Sequence, residues 1–274
     1  ISPITSSGNN DLARSTIEEI YVQILKDLDE AELDLPIEYS SPLLNVSRAK
    51  KCTAIALKTR VYLVQANYQK VIAESQKIVS STAPFQYKEG TLTHKLESNF
   101  GTIFGGSYTG SEAVFSIPFA NSTTETPSSQ YALAFNYLAQ PILFLTTAGI
   151  SSDPALNSSS DARSSLISTN SAKQKVLRKF SITTAPFRDY VPVIRYAEVL
   201  LNYAEAAANA NDLATATALL KAVRNRSDAT YVFPVADIST KEALINTILT
   251  ERRIELLGEG FKLMDLQRKL QTLP

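Results

Sequence analysis

Charged side chains recur three or four residues apart in two stretches of this 274-residue chain, at 193–226 and 251–268. Two carboxylates on either side of a glycosidic bond could hydrolyse it, one as general acid and the other as base or nucleophile. Opposite charges at helical spacing also form ion pairs within and between helices. We expect these charges to form ion pairs that hold the helices in register, with Arg224 or Arg226 as partners of the carboxylates. The residues concerned are Arg195, Glu198, Glu205, Glu251, Arg252, Glu255 and Glu259.

Other reactive side chains are scarce, and they predict neither a catalytic nor a metal site. His94 is the only histidine and Cys52 the only cysteine, so the chain cannot build a histidine–cysteine metal cluster or an intrachain disulfide. The glycine-rich segment 104–110 lacks the lysine of a phosphate-binding loop. The 27 basic and 27 acidic residues balance, which argues against a broad nucleic-acid interface. We therefore expect no catalytic residue, no metal, no cofactor and no nucleic-acid partner.

Apolar residues at helical spacing predict the elements that position these charges. Ser15 and Glu18 fit a capping box before the first helix, and Ser47 is a candidate N-cap for the second. The middle of the chain is rich in Ser, Thr, Gly, Asn and Pro, and there 113–119 predicts a short strand and 138–148 a short helix. The predicted helices span 15–35, 47–66, 68–79, 240–257 and 261–270, with a further helix pair that starts at Val193.

Two of the predicted helix pairs share one spacing. Aligning Tyr62 with Ala207, and Val71 with Ala216, superimposes both turns and puts small or medium residues where two helices meet. A repeat of about 34 residues is typical of tetratricopeptide helix hairpins. We predict a mainly all-α fold of such hairpins in a right-handed superhelix, with a long irregular loop region.

The helical segments also resemble a known family, SusD/RagB-like. Three segments are similar to consecutive motifs in the C-terminal half of that family, namely PVIRYAEVLLNYAEA (192–206), ALLKAVRNRSDA (218–229) and LTERRIELLGEGFKLMDLQR (249–268). Three others resemble its earlier elements in the same order, namely YVQILKDLDEAELDLP (21–36), RAKKCTAIALKTRVYLVQANY (48–68) and SEAVFSIPF (111–119). Lys262 stands where the family usually has Arg. The family is usually longer, so we expect this chain to be a partial member.

The resemblance implies a surface-exposed outer-membrane lipoprotein of Bacteroidota that binds oligosaccharides and delivers them to a SusC-type TonB-dependent transporter, without catalysis. In such proteins the lipid-bearing cysteine starts the mature chain, so Cys52, inside a predicted helix, is not that residue. We expect membrane attachment only through an N-terminal lipid anchor outside this chain. The implied organisation is a single domain over 1–274, with tetratricopeptide-like helical parts at 14–80 and 189–270 and a loop-rich ligand-side insertion at 81–188.

Sugar binding needs flat aromatic platforms for the C–H faces of the ring and polar side chains for its hydroxyls. The chain has no tryptophan, so the tyrosines and phenylalanines of the irregular region are the candidates. Tyr108 is the strongest, because the glycines around it indicate an exposed turn. These aromatics could instead pack the irregular region onto the helices. The predicted ligand-binding residues are Tyr108, Phe104, Asn121, Tyr131 and Tyr137.

Three functions stay open from the sequence. The first is the binding of a nutrient glycan for outer-membrane uptake, and the second is a tetratricopeptide-like scaffold that binds protein partners in a groove. The third is a glycoside hydrolase that uses the helix-borne carboxylates. A signal peptide with a lipid-attachment cysteine upstream in the gene would favour the first, and hydrolysis of a glycan by the pure protein would favour the third.

Overall fold

The chain folds mainly into α-helices, with three short antiparallel β-ribbons. The structure, a computed structural model, describes residues 14–105, 108–119, 132–184 and 189–270. Its helices are α1 (Ile17–Asp34), α2 (Pro42–Ser47), α3 (Lys51–Val64), α4 (Tyr68–Ile78), α5 (Phe100–Gly105), α6 (Tyr196–Asn209), α7 (Leu213–Ser227), α8 (Val235–Ile238), α9 (Lys241–Glu255) and α10 (Phe261–Arg268). Its strands are β1 (Gln86–Glu89), β2 (Leu92–Lys95), β3 (Ala113–Ile117), β4 (Ile167–Thr169), β5 (Lys175–Leu177) and β6 (Val191–Arg195).

Side-chain caps fix where several helices begin. The Thr16 hydroxyl accepts a hydrogen bond from the Glu19 N–H at 3.1 Å, and the Glu19 carboxylate accepts one from the Thr16 N–H at 2.8 Å. This is a capping box, and it lies one residue after the predicted box at Ser15. Helices α2, α4, α7 and α9 are capped by the side chains of Ser41, Asn67, Asp212 and Thr240.

Two predicted helix boundaries are wrong. The helix predicted over 47–66 is α3, which starts only at Lys51, because Lys50 is extended. Ser47 is the last residue of α2 and not the N-cap of α3. Val193 lies in β6 rather than in a helix, since β6 pairs with β3. Helix α6 therefore starts at Tyr196, immediately after the strand. In both places a contact with a distant segment overrides the local apolar pattern.

Two helix hairpins, α3–α4 and α6–α7, pack against each other through α3, α4 and α6. Val71 and Ala216 are fully buried at equivalent places in the two hairpins. Their small or medium side chains allow the helices to pack closely there. The Asn202 side-chain amide of α6 donates to the Thr59 hydroxyl of α3 at 3.0 Å and ties the first helices of the hairpins together. The predicted fold class, helical with tetratricopeptide-like hairpins, is confirmed.

Helix α6 is the centre of the hydrophobic core. All but one of its 14 residues are buried, and α3, α4, α7 and α9 pack around it. The buried set includes the polar residues Glu198, Asn202 and Glu205. Buried polar groups are costly unless they are paired, so each of these side chains needs a partner inside the protein. In the described ranges, no helix is both long and apolar enough to cross a membrane.

The ribbon of β3 and β6 joins the irregular region to the helices. Ala113 lies opposite Arg195, and Ile117 lies opposite Val191, with a bulge between these positions. The Glu112 carbonyl accepts a hydrogen bond from the Tyr196 N–H at 2.9 Å, so the ribbon runs directly into α6. The predicted strand at 113–119 is confirmed as β3.

Between β3 and β6, the residues that the structure describes form mostly short turns and one hairpin. The short helix predicted over 138–148 is wrong, because a π-helical turn ends at Ala139 and no helix lies over 140–149. Beyond it, the β4–β5 hairpin is preceded by three short 3₁₀ helices, at Ile150–Ser152, Pro154–Asn157 and Ala162–Leu166.

Candidate functional site

Ten buried charges from α7, α9, β6 and the irregular region meet in one cluster, which we call the ion network. Glu255 lies at its centre, with nitrogens of Arg163, Arg195 and Arg226 at 3.1, 2.9 and 2.6 Å from its carboxylate. The five cations of the network balance its five anions. The members are Arg163, Lys179, Arg195, Arg224 and Arg226, and Glu112, Asp161, Glu251, Glu255 and Glu259.

Burial and pairing together set the ionisation of the network. Burial opposes the charge of Glu255, but the nearby cations, Arg226 and Arg195 foremost, outweigh it and hold the pKa of this carboxyl far below its usual value. Burial lowers the pKa of Lys179 to about 8, although Glu259 attracts its charge. A carboxyl that acts as general acid needs a raised pKa. The lowered pKa of Glu255 suits an ion pair instead.

Motif charges also form three ion pairs that join helices outside the network, namely Arg60 of α3 with Glu198 of α6 at 2.7 Å, Arg268 of α10 with Glu205 of α6 at 2.6 Å, and Arg252 of α9 with Asp265 of α10 at 3.2 Å. The Glu205 pair satisfies a fully buried carboxylate at the centre of the core. The prediction that the motif charges hold the helices together is confirmed, and these pairs run between elements rather than along one helix.

His94 and Cys52 are buried side by side. The distance from Cys52 Sγ to His94 Nε2 is 3.5 Å, and His94 Nδ1 lies 3.3 Å from the Ser111 carbonyl. Burial, helped by the charge of Lys50, lowers the pKa of His94 to about 4, so its imidazole is neutral near pH 7. Within the described part of the chain, no three His, Cys, Asp or Glu side chains are placed to hold a metal ion.

Tyr108 and Tyr190 form a stacked pair over the β3–β6 ribbon, with ring centroids 4.6 Å apart and planes inclined by 11°. Both rings are partly exposed. The Tyr108 hydroxyl donates to Asp189 Oδ1 at 2.9 Å, and Asp189 Oδ2 accepts the Ile182 N–H at 2.9 Å. Tyr108 has a φ of 60°, a conformation that a non-glycine residue keeps only when its surroundings hold it. We call Tyr108, Tyr190 and Asp189 the tyrosine platform.

A cavity of about 340 Å³ adjoins the platform, and we call it the tyrosine cavity. Glu97 borders it and accepts hydrogen bonds from the Ser111 N–H at 2.6 Å and the Ser111 hydroxyl at 2.7 Å. Glu112 of the ion network also borders it. An aromatic wall next to carboxylate and hydroxyl groups can recognise a ligand with apolar faces and many hydroxyls. The described residues that line it are Glu97, Thr102, Ile103, Tyr108, Gly110, Glu112 and Ala113.

Two of the predicted binding residues belong to a buried aromatic cluster. Phe104 is only 4% exposed, and its ring packs 6.2 Å from Phe180 with the Lys179 ammonium 4.5 Å from its centroid. Tyr137 stacks on Phe180 at 6.3 Å. Most of the Phe104 ring is therefore covered by protein contacts, although Phe104 also lines a small cavity of about 20 Å³ together with Tyr108 and Tyr190. These two aromatics pack the irregular region onto the rest of the fold.

Of the predicted residues that the structure describes, Tyr108 lines the tyrosine cavity. Asn121 and Tyr131 lie outside the described residues. Sequence reasoning missed Tyr190 and Asp189, which complete the platform. The signal that could have found them is the pairing of β3 with β6, because Tyr190 immediately precedes β6 and is carried to Tyr108 by that pairing.

Two family models match the sequence. Residues 157–272 match the SusD family, and residues 2–63 match a family described as starch-binding and associating with the outer membrane. Both helical parts of the chain contribute to these matches, in the order that the motifs predict. Comparison with curated protein sequences finds no match.

Solved structures share the fold over nearly the whole chain. A SusD superfamily protein from Bacteroides fragilis is 32% identical over 98% of this chain, with a TM-score of 0.81. Another, from Bacteroides thetaiotaomicron, is 23% identical over 99% with a TM-score of 0.79, and a laminarin-binding SusD-like protein is 24% identical over 94% with a TM-score of 0.70. The chain spans 58%, 60% and 62% of the length of these three relatives. It belongs to the SusD/RagB-like family.

Proposed function

We propose that this chain binds an oligosaccharide at the tyrosine platform and delivers it to a SusC-type TonB-dependent transporter for nutrient uptake. The observation that carries the proposal is the Tyr108–Tyr190 stack beside the tyrosine cavity. An aromatic ring at the edge of a cavity can pack against the C–H side of a sugar. The Glu97 carboxylate and the Thr102 hydroxyl at the cavity can exchange hydrogen bonds with sugar hydroxyls.

The relatives support a glycan as ligand and the outer membrane as location. One similar structure is a laminarin-binding protein, and the family that matches residues 2–63 is described as starch-binding and associating with the outer membrane. We extend this to a surface-exposed protein held by a lipid anchor. In this arrangement the whole of 1–274 is one SusD-like domain, in which the parts 14–80 and 189–270 form the support and 81–188 faces the ligand.

Glycoside hydrolysis has less support. The motif carboxylates at 198, 205, 251, 255 and 259 are each paired with an arginine or lysine. Where their pKa values shift, as at Glu205, Glu255 and Glu259, the shift is downward, which is opposite to the need of a general acid. Neither matching family is described as an enzyme. We therefore propose a non-catalytic binding protein.

A protein-binding scaffold has less support as well. Tetratricopeptide-like scaffolds bind partners on an extended concave surface formed by their stacked helices. Here α6, the first helix of its hairpin, is buried on nearly all sides by α3, α4, α7 and α9 and presents no such surface.

Calorimetric titration of the protein with a panel of glucans tests the proposal. Tyr108→Ala should weaken binding about tenfold or more, because it removes one ring of the platform. Phe144→Ala is the matched control, since Phe144 is an exposed aromatic of the irregular region that does not line the tyrosine cavity. Equal affinity in both variants would move the ligand away from the platform. Release of reducing sugar by the pure protein would overturn the non-catalytic assignment.

A further inference from the structure

A second cavity, of about 350 Å³, adjoins the tyrosine cavity. Gly110 and Ala113 line both cavities, so the chain between them is a shared wall. Residues alternate along this wall, with Tyr108 and Glu112 at the tyrosine cavity and Thr109 and Ser111 at the second one. The two cavities therefore lie next to each other, on either side of this segment.

Hydroxyl groups dominate the second cavity, which we call the hydroxyl cavity. The hydroxyls of Ser40 and Thr93 make no hydrogen bond to any other residue that the structure describes, so both can donate to and accept from a ligand. The Tyr39 ring is partly exposed at its edge. The residues that define the cavity for this purpose are Tyr39, Ser40, Ser41, Thr91, Thr93 and Ser111.

The hydroxyl cavity offers no charge to a ligand. Among the described residues that line it there is no Asp, Glu, Lys or Arg. His94 lines it but is neutral near pH 7, as its burial dictates. Lys50 lies close behind the wall, fully buried, and its ammonium donates to the backbone carbonyls of Asn45 and Val114. A ligand in this cavity therefore meets hydroxyl, amide and carbonyl groups.

The described residues that line the tyrosine cavity carry no positive charge. Glu112 at its edge belongs to the ion network, whose five cations and five anions cancel, so the network presents no net charge. Glu97 forms no ion pair with any residue of the described ranges, and its carboxylate adds a negative charge. Among the described residues that line this cavity, no lysine or arginine would balance that charge for an anionic ligand.

We propose that the two cavities form one cleft that accepts an uncharged oligosaccharide and excludes acidic glycans such as polyuronates. This inference rests on the proposed function and specifies its ligand class. When a neutral sugar binds, its hydrogen bonds to water are replaced by hydrogen bonds to the hydroxyl cavity. This replacement costs little net free energy. A uronate would lose hydration without gaining an ion pair, and Glu97 would repel it.

Titrations with neutral hexasaccharides (laminari-, malto-, manno- and xylohexaose) and with hexagalacturonate test the ligand class. At least one neutral hexasaccharide should bind about tenfold more tightly than hexagalacturonate. Glu97→Gln removes the negative charge but keeps an oxygen that can accept the hydrogen bonds of Ser111. This variant should reduce the difference in affinity between the neutral hexasaccharide and hexagalacturonate. Equal or tighter binding of hexagalacturonate overturns the inference and leaves the proposed function standing. Binding of none of the five ligands overturns the proposed function itself.

A second variant tests the contribution of the hydroxyl cavity. Thr93→Val keeps the shape of the side chain and removes its hydroxyl, so it should weaken binding of the preferred hexasaccharide about three- to tenfold. Thr169→Val is the matched control, because Thr169 is an exposed strand residue of β4 away from both cavities. An unchanged affinity in Thr93→Val would remove the hydroxyl cavity from the cleft.

Discussion

The ion network and the tyrosine platform both adjoin the β3–β6 ribbon, yet they use side chains in opposite ways. In the network, Arg195 and its neighbours are buried, and every charge meets an opposite charge. In the platform, Tyr108 and Tyr190 are partly exposed, and Tyr108 lines the tyrosine cavity. The comparison teaches that the charges of the family motif build the support, whereas the ligand site that we propose relies on aromatic and hydroxyl groups outside those motifs.

Removal of one charge from the network should have the largest effect. Glu255→Gln leaves Arg163, Arg195 and Arg226 buried with one anion fewer, and such a change costs about 3–5 kcal/mol of unfolding free energy. Urea unfolding followed by circular dichroism measures the loss. Glu242→Gln on the exposed face of the same helix is the control, with an expected change near zero. Glycan affinity of folded Glu255→Gln should stay at the wild-type level, and a parallel loss of affinity would contradict the separation of the two regions.

The second largest effect should come from low pH, which should lower the unfolding free energy of the helical part. Burial opposes the charge of Glu205, but hydrogen bonds and attraction from Arg268 outweigh it and lower its pKa from 4.5 to about 2. Because the folded pKa lies below the unfolded one, this carboxylate stabilises the fold above pH 4.5, and the stabilisation is lost as the pH falls towards 2. The expected loss is about 3 kcal/mol. Urea midpoints at pH 7 and pH 2.5 measure it, and equal midpoints would contradict the pairing.

Phe104→Leu should lower the stability of the protein without changing its affinity for glycan. The Phe104 ring fills the buried cluster with Phe100 and Phe180, so its loss should lower the unfolding free energy by about 1–2 kcal/mol. Glycan affinity should not change. Thermal denaturation and calorimetry on the same sample give both values. A lower affinity at unchanged stability would return Phe104 to the ligand surface.

Tyr108→Phe should have the smallest effect. It keeps the stack on Tyr190 and loses the hydrogen bond to Asp189, which is worth about 1 kcal/mol. The affinity for glycan should fall by less than in Tyr108→Ala. Calorimetry on both variants distinguishes ring from hydroxyl, because equal losses would assign the binding to the hydroxyl group.

Local pattern was enough to predict most of the helical support. The apolar spacing of the helices is a short-range property, and the motif charges lie on those helices. The start of α1 was off by one residue because Ser15–Glu18 and Thr16–Glu19 both fit a capping box. The β6 strand was missed because its partner β3 lies far away in the sequence, and nothing local distinguishes it from the start of a helix.

The candidate site was predicted only in part, for a related reason. Tyr108 could be found because glycines around it mark a turn. Tyr190 and Asp189 could not, because their role depends on the ribbon that brings them to Tyr108. The burial of Phe104 could not be predicted, because an aromatic residue in an irregular segment carries no local mark of burial. Its position was decided by contacts with Phe180, which lies much later in the chain.

The ion network also bears on the order of folding. Arg226 and Glu112 are 114 residues apart in the chain, and Arg163 and Glu255 are 92 apart. Such pairs form only after long loops have closed, so the network should be completed late on the folding pathway. Interactions that are absent from the transition state act mainly on the unfolding rate. The network then keeps the protein folded mainly by slowing its unfolding. In stopped-flow experiments, Glu255→Gln should therefore speed unfolding far more than it slows folding.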